Sequence, residues 1–503
     1  MTWRPLLVSP LVAGLLAASL TGAAPSRADA AADCSKAGAA DFDGDGRDDV
    51  AVGDPLADAA GVPGAGTVHI LPADGSGGGF VVTAPDAGAG AAFGWTVRTT
   101  HVDGDGCLDV VVGAPYAEVD GTAGAGAVYV IHGGAKGGQV PPEAVEKLPP
   151  PQPEVNAHFG WALAAAGPKD GPGGVIAVGA PYEDADSTGD AGAVYVYPAQ
   201  ADTGPRTPKR VTQEGEGVVG NSEEGDLFGW SLVFGHLGGQ AGSADLAIGI
   251  PYENDDGAGQ QGADSGKADT GAVEVIFDVA EAGETYTSVK WGIPDSVKGV
   301  EEHPGDRYGY ALAYAEFDGR PYLAASAPLA DVGGVADSGL VQTFQADQAG
   351  NLRPARTVRL GAEGLADQPA VAKAALGWSL AMVAGPDSLS LAIGSPFDSG
   401  DGTEAGVIRG VLLTGDQGAP PARLDEPHAH DHLGWSLASF GATDPFGAGT
   451  GLLAGVPDEH SSPGGAVAIM REGRPIRLLG PGRGGVPGVP EGSPADFGAS
   501  VSG

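Results

Sequence analysis

Residues 93–131 read FGWTVRTTHVDGDGCLDVVVGAPYAEVDGTAGAGAVYVI. Three landmarks punctuate this stretch. Phe93-Gly94-Trp95 opens it, the apolar run Val110 to Pro115 ends in a Gly-small-Pro, and Gly126-Ala127-Val128 leads a second alternating run. Short apolar runs separated by Gly, Asp and Pro clusters read as strands joined by turns.

The same landmarks return along the chain, and a fixed period takes precedence over any single element. The first recurs at Phe159-Gly160-Trp161, Phe228-Gly229-Trp230, Tyr308-Gly309-Tyr310, Leu376-Gly377-Trp378, Leu433-Gly434-Trp435 and Phe497-Gly498-Ala499, with spacings of 66, 69, 80, 68, 57 and 64 residues. The second recurs at Val50 to Pro55, Ile176 to Pro181, Leu246 to Pro251, Leu323 to Pro328, Leu391 to Pro396 and Leu452 to Pro457. The third recurs from Gly66-Thr67-Val68 to Gly465-Ala466-Val467, and a weaker fourth strand follows in most repeats, for example Arg356 to Leu360 or Arg474 to Leu479. A repeated four-stranded unit is the signature of a β-propeller, in which radial packing leaves only short, protected edges.

The two ends complete one another. The first repeat lacks its opening strand, and the chain finishes on an opening strand, Phe497 to Val501, without the rest. The last residues are expected to pair beside Val50–Gly53 and close the ring, so that no sheet edge stays open. The expectation is an all-β, seven-bladed propeller over residues 31–503, with blades starting near 41, 93, 159, 228, 308, 376 and 433 and a closing strand at 497–501. The glycine beside each aromatic would let neighbouring blades approach closely. Trp95, Trp161, Trp230, Trp378 and Trp435 read as packing between blades, the other reading being a stack of sugar-binding aromatics.

One segment carries chemistry. In Asp41-Phe42-Asp43-Gly44-Asp45-Gly46-Arg47-Asp48-Asp49, carboxylates stand at positions 1, 3, 5 and 9 around a glycine at position 6. A hard cation such as Ca²⁺ takes six to eight oxygens, and such spacing turns several toward one centre. Asp41, Asp43, Asp45 and Asp49, with the Arg47 carbonyl at position 7, form the expected ligand set. A second copy at 101–109 has His101 at position 1, followed by Asp103, Asp105 and Asp109, with the Cys107 carbonyl at position 7. Imidazole is a poor calcium ligand, so two sites are expected, the second weaker. The remaining repeats have too few carboxylates at this place.

Arg4, the apolar run Leu6 to Leu20 and Ala28-Asp29-Ala30 read as a secretory signal cleaved after residue 30. The mature chain is then expected to be exported, soluble and monomeric. The formal charge is −39, and removing Arg4, Arg27 and Asp29 with the leader leaves −40. Such a surface argues against nucleic acid and anionic membranes and suits cation binding. The two cysteines, Cys34 and Cys107, suggest one disulfide in an oxidising compartment, two unpaired thiols being the alternative.

The order Phe-Gly, Asp-x-Asp-x-Asp-Gly-x-x-Asp, Gly-Ala-Pro resembles the FG-GAP repeat of integrin α subunits and their bacterial relatives, across nearly the whole chain after the leader. The third to seventh repeats lack the acidic loop. The resemblance implies a seven-bladed propeller, a calcium loop between the first and second strands of a blade, and ligands on the opposite face. That face would include the loops after Gly-Ala-Pro, whose acidic residues Glu183, Asp184, Asp186, Glu253, Asp255 and Asp256 read as a solvated rim or as a docking surface for a cationic or cation-bridged partner. The function so implied is a non-catalytic extracellular binding or adhesion module for a protein or glycan. The alternative is an extracellular hydrolase, phospholipase D-like or glycan-acting, with its site on the propeller axis. FG-GAP repeats also occur in phospholipases D specific for glycosylphosphatidylinositol, where the resemblance assigns catalysis to a separate zinc domain; none fits between the leader and Asp41. No G-x-S-x-G, H-E-x-x-H or P-loop motif is present. His428, His430 and His432 alternate beside Asp425 and Glu426, a spacing that suits zinc or copper if extended and otherwise a polar turn.

Overall fold

The computed structural model describes Cys34 and residues 37–503, apart from 77, 168–173, 199–206, 240–242, 255–266, 284, 348–349, 363, 386, 400–402, 415–418, 425–426, 443–446, 461–463 and 489–493. The proposed leader, Asp255, Asp256, Asp425 and Glu426 lie outside the described residues. Among the described residues, 28 strands form seven antiparallel sheets of four. Blade 1 is composite: Ser500–Ser502 pairs with Asp49–Asp54, which pairs with Thr67–Pro72 and then Phe80–Val82. Blade 2 runs Thr96–Thr100, Asp109–Ala114, Ala127–Ile131 and Val145–Leu148. Blades 3 to 7 repeat this meander, from Ala162–Ala166 in blade 3 to Arg477–Leu479 in blade 7.

The ring closes as expected from the mismatched ends. Ala51 faces Ser502, Val52 faces Val501 and Gly53 faces Ser500. The closing segment also binds its neighbours: the Phe497 amide donates to the Gly464 carbonyl (2.8 Å), and Ser500 Oγ donates to the Gly94 carbonyl (2.7 Å).

The second strands are buried along their whole length in five blades, as in Asp109–Ala114 and Asp245–Ile250, and along all but Arg320, Pro321 and Ser390 in blades 5 and 6. These strands read as continuous apolar runs because sheets stack on both of their faces. The first strands of all seven blades line a central channel of about 210 Å³, walled by residues such as Ala165, Phe234, Tyr314, Met382 and Val501.

Two glycine positions hold the blades together. A Cβ on Gly113 would lie 2.1 Å from the Gly160 carbonyl oxygen of the next blade. Gly53, Gly179, Gly249, Gly394 and Gly455 meet the corresponding carbonyl of the next blade at 1.9–2.2 Å. Only blade 5 departs, with Ser326 at this place. Gly126, at φ +84°, would clash with the Phe159 carbonyl at 2.1 Å, and Phe159 donates its amide to the Ala125 carbonyl at 3.0 Å. First-strand hydroxyls then cap the approaching carbonyls, as Thr96 Oγ1 does to Gly160 at 2.9 Å and Ser379 Oγ to Gly434 at 2.7 Å. The aromatic or Leu of each Phe-Gly landmark is fully buried in the resulting seam.

A methyl group at such a glycine has nowhere to go, since both neighbours are backbone. Gly179→Ala, whose Cβ would meet the Gly229 carbonyl at 2.2 Å, is expected to destabilise the fold by about 1–3 kcal/mol or more. Gly88→Ala, with nothing within 4 Å, should stay within about 0.5 kcal/mol of the parent. Denaturant unfolding of the two variants measures the difference; equal midpoints would refute the role given to the seam.

At the closure, Asp496 donates its amide to Asp54 Oδ1 (2.7 Å). Burial, together with Asp496, pushes Asp54 up to about 7, and burial, together with Asp458, pushes Asp496 up to about 6. Both folded values lie above the unfolded ones, so the folded state holds more protons and loses stability as pH rises from about 4 through about 7. Asp54→Asn keeps an acceptor and removes the charge. It should narrow the loss of stability between pH 5 and pH 8 by at least about 1 kcal/mol, read from thermal unfolding at the two pH values.

Candidate functional site

The two ends of the first strands carry different chemistry. Asp41–Asp49 and His101–Asp109 lie at one end, each leading into the second strand of its blade. The Phe-Gly-Trp landmarks lie at the other end, together with the loops after Gly-Ala-Pro, because the second strand runs back antiparallel to the first. Tyr116, from such a loop, accordingly sits 5.5 Å from Trp95.

In the first loop the backbone wraps around Asp41. Its Oδ1 accepts from the amides of Gly44 (2.8 Å) and Asp45 (3.2 Å), and its Oδ2 from Gly46 (2.8 Å). Carboxylate oxygens of Asp41, Asp43 and Asp45 come within 4.8 Å of one another. Asp49 is buried, accepts from the Phe42 amide at 2.9 Å, and is pushed up to about 7 by burial and then by Asp43, Asp41 and Asp45. Burial and the Asp45 charge likewise raise Asp43. Asp45 is held low by its exposed pair with Arg47. A buried carboxylate facing three others carries charge that a divalent cation would offset. The residues therefore fit Ca²⁺, with Asp45 needing to leave a solvent-exposed ion pair that contributes little.

The second loop is built differently. His101 Nδ1 lies 2.9 Å from the Cys107 carbonyl, the position-7 oxygen, and its Nε2 lies 3.0 Å from the Ala39 carbonyl. His132, from the end of a third strand, enters the acidic centre: Nδ1 is 3.2 Å from Asp103 and 3.7 Å from Asp109, and Nε2 is 3.3 Å from Glu146. Its bonds to Asp103 and Glu146 raise it to about 10, so it carries a positive charge at neutral pH. An imidazolium from the same blade thus stands among the carboxylates of this loop. Nothing in the local spacing signals it, since His132 is 23 residues beyond Asp109.

Cys34 and Cys107 form a disulfide across blades 1 and 2. It ties the two loops together, alongside bonds from the Leu108 amide to Asp41 (3.0 Å) and the Gly134 amide to Phe42 (2.7 Å).

On the opposite face, Trp95, Trp161, Trp230, Tyr310, Trp378 and Trp435 form a collar around the axis. Successive ring centroids are 4.9, 5.0, 5.7, 4.9 and 5.3 Å apart. Ala499 takes the seventh place, so the collar has a gap. All six rings are half-buried: they pack on each other and leave surface open. A second tier surrounds them, with Tyr182 5.5 Å from Trp161, Tyr252 5.5 Å from Trp230 and Phe397 4.9 Å from Trp378. Arg307 lays its guanidinium 3.7 Å over Tyr252.

The acidic rim divides. Glu183 and Glu253 are buried: Glu183 accepts from Tyr195 (2.9 Å) and Arg210 (2.7 Å), and Glu253 from Lys290 (2.6 Å) and Gln213 (2.8 Å). They brace the blades from inside. Asp184 and Asp186 are exposed, as are Asp58, Glu118, Asp120 and Asp458 in equivalent loops. Of the alternating histidines, His430 and His432 converge on Glu404, while His428 stacks on His460 at 4.6 Å.

The FG-GAP repeat family model matches residues 35–71 and 93–131, the two blades that carry the acidic loops. The human phosphatidylinositol-glycan-specific phospholipase D is 28% identical over 254 residues, 47% of this chain and 26% of that protein. Integrin alpha ina-1 of Caenorhabditis elegans is 31% identical over 183 residues, 33% of this chain and 15% of that one. Integrin alpha-PS2 of Drosophila melanogaster is 30% identical over 225 residues, 43% and 15%. The matched region thus spans about a quarter or less of each relative. Among the described residues, no helix is long and apolar enough to cross a membrane.

Proposed function

From an FG-GAP propeller of the integrin α type, we propose that this protein is an exported, calcium-stabilised binding module that docks a cationic segment of a partner protein on its aromatic face. The observation that carries this reading is the half-open collar of six aromatic rings inside a rim of exposed carboxylates. Aromatic faces attract cations, by about 0.5–2 kcal/mol each, and aromatic residues concentrate at protein-binding centres. Arg307 over Tyr252 is an internal instance of the same contact. The exposed Asp58, Glu118, Asp120, Asp184 and Asp186 would steer a cationic partner toward the collar. Two of the relatives are integrin α subunits, which supports protein binding.

The axial channel supports binding over hydrolysis. Its lining side chains are apolar apart from those of Arg98, Tyr314, Ser439 and Ser502, with no carboxylate or imidazole among the described lining residues. Its volume of about 210 Å³ falls below the roughly 300–1,000 Å³ of small-molecule sites.

Calcium in this reading stabilises the opposite rim. Asp41, Asp43, Asp45, Asp49 and the Arg47 carbonyl would hold one ion. The second loop, through Asp103, Asp105, Asp109 and the Cys107 carbonyl, would hold another more weakly, because the ion competes with His132 and His101. Calcium at 100 times its dissociation constant should add about 2.7 kcal/mol per site. Asp43→Asn should remove most of the calcium-dependent rise in melting temperature, whereas Asp103→Asn should remove little. A rise of the same size in Asp43→Asn and in the parent would exclude the first loop.

Docking is read from tryptophan fluorescence during titration with an arginine-rich peptide. Saturable quenching is expected, weakening as salt rises from 50 to 500 mM and falling at least tenfold in affinity in Trp161→Ala/Trp230→Ala. Equal affinity in that variant would overturn the docking site while leaving the calcium reading untouched.

A further inference from the structure

At six junctions between neighbouring blades, on the aromatic face, one pattern of backbone bonds recurs. At the junction of blades 6 and 7, the His430 amide donates to the Thr403 carbonyl (2.8 Å) and the His432 amide to the Glu404 carbonyl (3.3 Å). The place of His432 is taken elsewhere by Ala92, His158, Leu227, Arg307 and Ala375, and that of His430 by Gly90, Asn156, Gly225, Gly305 and Lys373. The place of Glu404 is taken by Gly64, Gly124, Asp190, Asp269 and Asp337. All these residues have positive φ; Glu404 stands at 53°, His430 at 68° and His432 at 55°. The fold therefore dictates three adjacent left-handed positions at each junction. At this one junction they hold a carboxylate and two imidazoles.

The side chains converge. His430 Nδ1 is 2.9 Å and His432 Nε2 is 3.7 Å from Glu404 Oε2, and the three atoms lie within 4.8 Å of one another. Tetrahedral coordination with bonds of about 2.0–2.1 Å places ligand atoms about 3.3 Å apart, which sub-ångström side-chain shifts would reach. A second observation points to a ligand. His432 Nε2 is buried and makes no hydrogen bond among the described residues. Asp458 Oδ2 lies 2.7 Å from the other ring nitrogen, Nδ1. A proton on Nδ1 donated to Asp458 leaves Nε2 with its lone pair directed at Glu404 and His430. That is the carboxylate–histidine arrangement which orients metal-ligating imidazoles. Phe397 at 5.5 Å and Trp435 at 6.1 Å wall the His432 ring, while exposed His430 leaves an entry path.

We propose that Glu404, His430 and His432 bind one Zn²⁺-class transition-metal ion, with Asp458 orienting His432 and water completing the coordination. Two imidazoles and one carboxylate suit a borderline cation rather than calcium. His428, stacked on His460, stands outside the site.

The test uses the full chain, stripped with chelator and returned to millimolar Ca²⁺ so that the acidic loops are occupied, then titrated calorimetrically with Zn²⁺. His430→Gly/His432→Ala installs residues that other junctions already carry, so its thermal unfolding in calcium should match the parent. The parent is expected to bind one more Zn²⁺ than this variant. Asp458→Asn should weaken that step about 10–100-fold, and His428→Ala should leave it in place. Co²⁺ should give visible absorption bands in the parent that the double variant lacks. Equal Zn²⁺ uptake by parent and double variant, or loss of the step in His428→Ala, would overturn the site.

Discussion

The whole ring rests on a carbonyl oxygen of one blade lying where a side chain of its neighbour would otherwise begin. Gly53, Gly113, Gly179, Gly249, Gly394 and Gly455 each give up a Cβ to such an oxygen. The contact is polar, short and backbone to backbone, so no adjustment of rotamers can relieve a substituent there. It also sets the angle between blades, because the following aromatic or Leu is buried in the same seam. Six repetitions of one local geometry, with Ser326 at the same place in blade 5, close a circle without any residue that surveys the whole. This gives a structural use to part of the glycine content of 88 in 503 residues, which without a period would suggest low complexity.

That rigid frame separates the two faces. The acidic loops and the disulfide sit where first strands end, and the collar sits where they begin. Each first strand is only about five residues long, as in Thr96–Thr100, so the faces are some 17 Å apart along the strand. An ion in the first loop cannot touch a ligand on the collar. Its influence on docking would pass through the stability of blades 1 and 2, not through direct contact. This is why the calcium and docking readings stand on separate observations.

What the sequence disclosed was what repeats. The landmarks located the second and third strands of every blade, and the mismatch between Val50–Gly53 and Phe497–Val501 specified how the ring closes, because unpaired strands at the two ends have one economical solution. What stayed hidden depends on partners that repetition does not encode. Glu183 and Glu253 look like rim residues beside Asp184 and Asp186, yet they are buried because Arg210 and Lys290, from the next strands across, reach them. His132 enters the second loop from a different hairpin. The alternating histidines read as three imidazoles on one face if extended, and otherwise as a polar turn. In the fold His430 and His432 occupy left-handed positions, and Glu404 and Asp458 come from loops on either side. The tryptophans read as packing between blades, and rings of successive blades do pack on one another; what the repeat does not disclose is that these rings also keep open surface.

The aspartate that opens the second strand shows how one repeat position can be satisfied in several ways. Asp49, Asp109 and Asp245 all stand there, all are buried, and burial raises all three, to about 7, 6 and 6. In blade 4, Asp245 receives three backbone amides, from Leu237 (2.6 Å), Gly238 (2.8 Å) and Asp278 (2.8 Å), and has no acidic loop in front of it. In blade 2, Asp109 receives the Val102 and Gly133 amides (2.6 and 2.9 Å) with an imidazolium 3.7 Å away. In blade 1, Asp49 accepts the Phe42 amide and otherwise faces Asp41 and Asp43, with no cationic side chain brought to it from the neighbouring strand among the described residues. A buried carboxylate needs amides, a protein cation or an external one, since desolvation is otherwise uncompensated. Of the three blades, the first brings this aspartate one amide and no protein cation among the described residues, and it is the one with the full set of loop carboxylates, which is the ground for the calcium proposed there.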